Sequence, residues 1–177
     1  MSTMASSSDP HLVALAALQD FRELAAASAE APSGVTASMI VHYARRATVT
    51  ADLMIERALR THPGARRLHA FALGQVAWAS SLSVAAAADR VTERMIGDWR
   101  IEIIEEQSGF PWLVLHAPPG AAPVTMLEMR RPDGEGRRLD LGEPIDNIFQ
   151  LPLDIGFAEL VGLVDWLQDP LTELHLL

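Results

Sequence analysis

The second half of the chain consists of short segments in which apolar and polar residues alternate. In 99–106, tryptophan and isoleucine alternate with arginine and glutamate, as expected for a strand with one solvent-facing side. Glycine and proline separate the segments, at 107–109, 118–120 and 131–136. This pattern predicts five strands, at 99–106, 111–118, 124–131, 137–141 and 148–153.

Two of these strands carry further information about their position. Both alternate positions are apolar from Trp112 to Leu115, which predicts a strand that is central or covered on both faces. Pro152 lies within the fifth predicted strand, and Pro144 lies shortly before it. Because proline cannot donate a hydrogen bond to a neighbouring strand, we expect sheet edges or kinks at both prolines.

The first half of the chain has helical periodicity instead. Asp9 and Pro10 are typical of a helix start, and this first helix is expected to end near 32–34. A second helix is predicted from about 36 to 61, ending before Pro63. A third is predicted from about 65 to 96, ending at Gly97. The third is apolar around much of its circumference, so we expect the other helices, or a second copy of the chain, to cover it.

Together these elements predict an α+β protein, with an N-terminal three-helix bundle followed by a C-terminal antiparallel β-sheet or small β-sandwich. The expected divisions are a disordered tail at 1–10, the bundle at 11–97 and a β-rich acidic domain at 98–177. Residues 157–168 fit a helix or a strand; the longer helical stripe favours a helix ending at 169–170. The apolar segment 171–177 is expected to dock on the core or on a partner.

Charge is distributed unevenly along the 177 residues, whose net charge is −9. Residues 98–177 carry five arginines against fifteen acidic residues, so we expect no nucleic-acid binding there. This acidic half suits either a basic protein surface or plain solvent exposure. All fourteen basic residues are arginine, which is typical of a GC-rich bacterial genome.

No targeting or membrane segment is expected. The polar N-terminus does not have the pattern of a signal peptide. The uncharged stretch 70–88 has the length of a membrane span, but its many alanines and serines favour a buried helix. We therefore expect a cytoplasmic protein without a transmembrane segment.

Candidate chemistry is sparse. The chain has no cysteine, and its six histidines do not have metal-ligand spacing. The carboxylate pairs Asp52/Glu56 and Asp89/Glu93 are four residues apart and have arginines nearby, which favours surface ion pairs over a di-metal centre. Phosphate-binding loops and nucleophile elbows are missing from the sequence. We therefore predict no catalytic residue, no cofactor and no metal site.

Residues 123–164 contain the strand VTMLEM, a charged Asp-Gly turn, the strand IFQLPL and a glycine before a last apolar segment. This series resembles the small Ig-like or transthyretin-like β-modules that end some bacterial anti-sigma-like regulators. The helical front half is also similar, although the zinc-binding histidine and cysteine ligands of those regulators are absent. The resemblance implies a regulatory, protein-binding role without catalysis, and it implies a strand at 158–164.

We therefore expect a non-catalytic adaptor or regulator that binds another protein through an exposed sheet edge at 112–116, the third helix or the C-terminal tail. Deleting 171–177 is expected to weaken binding and to leave the fold intact. The predicted interaction residues are Trp112, Val114, His116, Trp166, Leu171, Leu174 and Leu176. One alternative is a small-molecule-binding protein or enzyme with a pocket between bundle and sheet, for which the candidates are Arg100, Glu102, Trp112 and His116. Another is an oligomer, such as a homodimer, formed through the third helix.

Overall fold

The structure is a computed structural model that describes residues 18–23, 26, 34–81, 91–104, 110–153, 160 and 162–177. The helices are α1, described at 18–23 and 26, and α2 (Ala37–Arg45), α3 (Leu53–Thr61), α4 (Pro63–Val76) and α5 (Leu163–Gln168). The strands are β1 (Ala79–Ser81), β2 (Glu93–Ile96), β3 (Trp99–Ile104), β4 (Trp112–His116), β5 (Met126–Arg130), β6 (Gly136–Asp140), β7 (Ile148–Pro152) and β8 (Glu173–Leu176).

The strands form two antiparallel sheets of four strands each. The inner sheet has the order β1-β8-β5-β6, and the outer sheet has the order β2-β3-β4-β7. All five predicted strands are present as β3 to β7, and β7, which contains Pro152, lies at an edge as expected. The α+β class is therefore confirmed, while β1, β2 and β8 are additions to the prediction.

The main core lies between the two sheets. The outer sheet contributes side chains such as Ile101, Leu115 and Phe149, and the inner sheet contributes Leu127 and Leu174. All five are buried, because alternate residues of each strand point toward the opposite sheet. Helix α5 adds its apolar side chains to the same core.

Helices α2, α3 and α4 form a second core of their own, which includes Ile40, Ile55 and Leu68. Both α2 and α3 are also bonded to the inner sheet. Glu56 of α3 forms an ion pair with Arg130 of β5, and the backbone carbonyl of Tyr43 in α2 accepts a hydrogen bond from Arg138 of β6. Every residue of β5 is buried, since this strand has the outer sheet on one side and the helices on the other. The layers thus run from helices to inner sheet to outer sheet.

The single helix predicted over 36–61 is wrong in its middle. Helix α2 ends at Arg45, and α3 begins only after Asp52, whose side chain accepts hydrogen bonds from the backbone N–H groups of Met54 and Ile55. The intervening segment 48–50 reads Thr-Val-Thr, and β-branched residues disfavour helix. An N-cap aspartate after β-branched residues therefore starts a new helix here.

The predicted third helix, 65–96, is also too long. Helix α4 ends at Val76, β1 pairs with β8, and 93–96 form β2. A tight turn at Gly97 and Asp98 joins β2 to β3, with Gly97 at a φ of +58°, a conformation that glycine adopts readily. Strands therefore begin at Ala79, before residue 97, at which the β-rich part was expected to start.

The apolar stretch 70–88 leaves helical conformation after Val76, and its residues from 82 onward lie outside the described part. Within the described ranges, none of the helices combines the length and apolar character that a membrane crossing requires. The predicted disordered tail at 1–10 also falls outside the described residues.

Near the C-terminus, the helical interpretation holds for Leu163–Gln168, which form α5, and Asp169 caps its end as predicted. The strand that the resemblance implied at 158–164 is wrong at Leu163 and Val164, which are helical. Residues 154–159 and 161, where the helix was expected to begin, lie outside the described part. The last segment, 173–176, forms β8 within the inner sheet.

Candidate functional site

Three of the predicted interaction residues, Trp112, Val114 and His116, lie on β4. This strand pairs with β3 on one side and β7 on the other. The expected exposed edge at 112–116 is therefore wrong, and the central position predicted from its apolar pattern is confirmed. Because residues two apart share a face, these three side chains lie together on the face of the outer sheet that points away from the core.

The other predicted interaction residues belong mostly to the core. Leu174 and Leu176 are fully buried in β8, which lies between β1 and β5, and Trp166 of α5 is buried as well. Leu171 is the exception, with 49% of its surface exposed. The expectation that the tail docks on the core is confirmed. The expectation that deletion of 171–177 leaves the fold intact conflicts with the position of β8 between β1 and β5.

The outward side of the outer sheet, here called the outer face, carries both apolar and charged side chains. Met95 is 52% exposed and Ile104 is 43% exposed, and Ile104 is paired with Trp112 across the strands. No element in the described part of the chain packs on this face. Its side chains come from alternate positions of four strands: Glu93, Met95, Arg100, Glu102, Ile104, Trp112, Val114, His116, Ile148, Gln150 and Pro152.

The charged residues form a cluster at one part of the outer face. Arg100 forms an ion pair with Glu102, and its Nη1 lies 3.8 Å from a carboxylate oxygen of Glu93. The Nε2 of His116 lies 3.8 Å from the other oxygen of Glu102. The four residues predicted to line a pocket between bundle and sheet therefore lie together on the outer face, away from the helices: Arg100, Glu102, Trp112 and His116.

At the interface between the helices and the inner sheet is a buried ionic group, here called the junction network: Tyr43, Glu56, Glu128, Arg130 and Arg138. The guanidinium of Arg130 donates through Nη1 and Nη2 to the two carboxylate oxygens of Glu56, at 2.8 and 2.7 Å. Its Nε donates to Glu128 at 2.8 Å. Such two-pronged pairs are the strongest arginine–carboxylate contacts. The predicted surface ion pair at Glu56 is thus wrong, because this carboxylate is buried.

Arg138 links the same network to the end of α2. Its Nε donates to Glu128 at 3.0 Å, and its terminal nitrogens donate to the backbone carbonyls of Tyr43, Arg46 and Thr48. Its guanidinium also lies 4.0 Å above the ring of Tyr43, a favourable cation–π distance. Arg138 therefore donates to backbone carbonyls at the end of α2 and in the segment that follows it, where few helical partners are available.

The charges of the junction network are balanced and fixed. Burial alone would lower the pKa of Arg130, but Glu128 and Glu56 outweigh that effect, so its pKa is raised and the guanidinium stays charged. Burial, and then a 2.6 Å hydrogen bond to Glu56, raise the pKa of Tyr43, so the phenol stays protonated. Arg130 and Tyr43 therefore keep their protons near neutral pH, and their bonds to Glu56 hold the helices and the inner sheet together.

Two buried histidines border the network. His69 of α4 has its Nε2 3.5 Å from a Glu128 oxygen, without a hydrogen bond. His175 of β8 contacts Ser80 through Nδ1 at 2.9 Å, and its Nε2 also lacks a partner. Burial, followed by the positive charges of Arg130 and Arg138, lowers the pKa of His69 well below its usual value. His69 is therefore neutral in the folded protein.

This lowered pKa makes stability depend on pH. The unfolded chain binds a proton at His69 below about pH 6.5, whereas the folded chain does so only at lower pH. Between these values the unfolded state binds more protons, so the free energy of unfolding falls as pH falls, by up to about 1.4 kcal/mol per pH unit. We expect His69→Gln to remove this part of the slope in urea unfolding measured from pH 7.5 to 5. An unchanged slope would contradict this contribution of His69 to the pH dependence of stability.

Beside His69 lies a cavity of about 190 Å³, here called the junction cavity, between α4 and the turn that joins β5 to β6. Its lining includes four arginines, Arg66, Arg67, Arg130 and Arg131. The turn is seated closely against α3: a side-chain carbon at Gly134 would clash with the Leu59 carbonyl. Arg66 bridges the two parts, since its Nη1 donates to the carbonyls of Leu59 and Asp133 at 3.1 and 3.3 Å.

The junction cavity and network were missed in the sequence because their members come from distant segments. The paired arginines at 66–67 and 130–131 are visible as local signals, but only the packing of α4 on β5 brings them together. Among the described residues, no group of three histidine or carboxylate side chains could hold a metal ion.

Comparisons with protein-family models, curated proteins and solved structures found no match to this chain.

Proposed function

We propose that the protein is a cytoplasmic, non-catalytic adaptor or regulator that binds another protein through its outer face. The observation that carries the proposal is the exposure of Ile104 beside Trp112 and of Met95 at the other end of the same sheet face. Tryptophan and methionine are enriched at protein interfaces. Arg100 and Glu102 lie between these apolar side chains, where charged groups add specificity for a complementary partner.

A face, rather than an edge, is the better binding surface here. An added strand needs a free row of backbone groups, and the edges of the outer sheet are poorly suited to provide it. Strand β2 has only four residues, and β7 contains Pro152, which has no N–H to donate. Side chains of the outer face, by contrast, are held in register by the paired strands beneath them.

The remaining features agree with this role. The net charge of −9 would favour encounter with a basic partner surface. The resemblance of 123–164 to the β-modules of bacterial anti-sigma-like regulators points to the same class of function. A homodimer formed through the third helix stays a separate prediction, which the mass of the protein in solution would test.

The experiment is affinity capture of the tagged protein from extract of its source cells, followed by mass spectrometry. We expect one dominant partner in stoichiometric amount. The double variant Met95→Lys with Ile104→Lys should lose that partner, because two charges would be buried in the interface. The matched control is Ile145→Lys, since Ile145 is 78% exposed in the connection between β6 and β7.

Circular dichroism of all three proteins should give the same secondary structure and similar melting temperatures, because the substituted side chains are exposed. Capture of the same partner by the double variant, or its loss in the Ile145→Lys control, would overturn the proposal. Recovery of the wild-type protein without a stoichiometric partner would also count against it.

A further inference from the structure

The junction cavity has an excess of positive charge that the protein itself does not neutralise. Arg130 is balanced by Glu56 and Glu128. Of the remaining lining residues, Arg66, Arg67 and Arg131 are positive, and Glu173 is negative. Arg131 forms an ion pair with Asp169, and Glu173 offsets one of the other two charges. One positive charge is therefore left over at a concave site with partly apolar walls, and such sites attract anions.

The hydrogen bonds of these arginines leave donors available. Arg67 is exposed and has no hydrogen bond or ion pair with any described residue. The contacts of Arg66 go to backbone carbonyls, so its charge is not paired with a carboxylate. Arg131, by contrast, is ion-paired with Asp169 and lies over the ring of Trp166, so Arg66 and Arg67 are the arginines of the lining that have no carboxylate partner among the described residues.

A buried polar group without a partner also borders the cavity. His69 lines the cavity but is buried, and its Nε2 has no hydrogen-bond partner. This nitrogen lies 3.5 Å from a Glu128 oxygen, so it faces the junction network. Its lowered pKa keeps His69 neutral, so it adds no charge to the cavity.

From this geometry we propose that the junction cavity binds the phosphoryl group of a small phosphorylated molecule. The volume of about 190 Å³ is below the roughly 300–1,000 Å³ of pockets that enclose a whole drug-sized ligand. It suits one terminal group, with the rest of the molecule outside. A phosphoryl group carries about −1.5 to −2 charges near pH 7, which matches Arg66 and Arg67, the two lining arginines without a carboxylate partner, better than a single carboxylate does. This site is independent of the outer face.

The test is isothermal titration calorimetry of the full chain with inorganic phosphate and with glycerol phosphate, at low ionic strength. Two variants report on the site. Arg67→Gln removes one exposed charge, and Ala70→Leu narrows the cavity without changing any charge, at an exposed helical position where leucine is well tolerated. We expect each to weaken binding at least about tenfold, since a charged hydrogen bond or the space for the ligand is lost.

The matched control is Arg57→Gln, which removes an exposed arginine of α3 outside the cavity lining and should leave affinity unchanged. Acetate serves as the single-carboxylate probe and should bind at least about tenfold more weakly than phosphate. The proposal is overturned if the wild-type protein binds neither phosphate compound, if Arg57→Gln weakens binding as much as Arg67→Gln, if Ala70→Leu has no effect, or if acetate binds as tightly as phosphate.

Discussion

Removal of residues 171–177 is expected to abolish the cooperative folding of the protein. These residues contain β8, which pairs with β1 on one side and with β5 on the other. Its loss would divide the inner sheet, expose apolar surface of the main core and leave unpaired the backbone groups of β5 that face β8. We expect the truncated protein to lack a sigmoidal urea transition in circular dichroism. A normal transition would contradict the central position of β8.

A single substitution tests the same point with less disruption. Leu176 is fully buried between β1 and β5, so Leu176→Ala should lower the free energy of unfolding by about 2–5 kcal/mol. Leu171→Ala is the matched control, because Leu171 is half exposed and precedes β8. Its effect should stay within about 0.5 kcal/mol. Equal effects of the two substitutions would place the tail outside the core.

Glu128→Gln is expected to lower the free energy of unfolding by about 3–5 kcal/mol. Glu128 is fully buried and accepts hydrogen bonds from both Arg130 and Arg138. The amide keeps the shape of the side chain but removes its negative charge, so two buried guanidinium groups would share the single carboxylate of Glu56. Urea unfolding at pH 7 measures the loss.

The control for this substitution is Glu102→Gln in β3, which removes a carboxylate from the partly exposed ion pair with Arg100. Ion pairs that water reaches contribute about 1 kcal/mol or less, so this variant should remain close to the wild-type stability. If Glu128→Gln destabilised the protein no more than Glu102→Gln, the junction network would have no role in joining the helices to the inner sheet.

The sequence predicted those parts of the fold that depend on local patterns. Alternation gave all five strands from β3 to β7, and the proline in β7 correctly indicated an edge. The helices were less accurate, because alanine-rich segments keep an apolar period without fixing where a helix stops. The break after Arg45 follows from the capping of α3 by Asp52, and both it and the Thr-Val-Thr segment were visible in the sequence.

The hairpin between β2 and β3 also has a signal that is visible in the sequence. A glycine followed by aspartate between two apolar segments is a known signal for a two-residue hairpin turn. The residues before Gly97 also fit a helical stripe, and this pattern predicts Gly97 as a helix end instead. Exposed and buried residues alternate in Glu93–Ile96, which favours a strand over a helix. The pairing of this segment with β3 confirms the strand.

The candidate sites were only partly predictable for a physical reason. Alternation places Trp112, Val114 and His116 on one face, but whether β4 is an edge depends on pairing with β7, which is distant in the sequence. The same limit applies to the junction network. Glu56 and Arg130 are 74 positions apart, and their residue types gave no sign that they would form a buried pair.

The proposal that the outer face binds a partner is tested most directly by hydroxyl-radical footprinting of the captured complex. Met95 and Trp112 lie on this face, whereas Met54 and Trp78 are 53% and 63% exposed elsewhere and serve as internal controls. We expect partner binding to reduce the oxidation of Met95 and Trp112 and to leave Met54 and Trp78 unchanged. Protection of Met54 or Trp78, with Met95 and Trp112 still fully oxidised, would contradict the proposal.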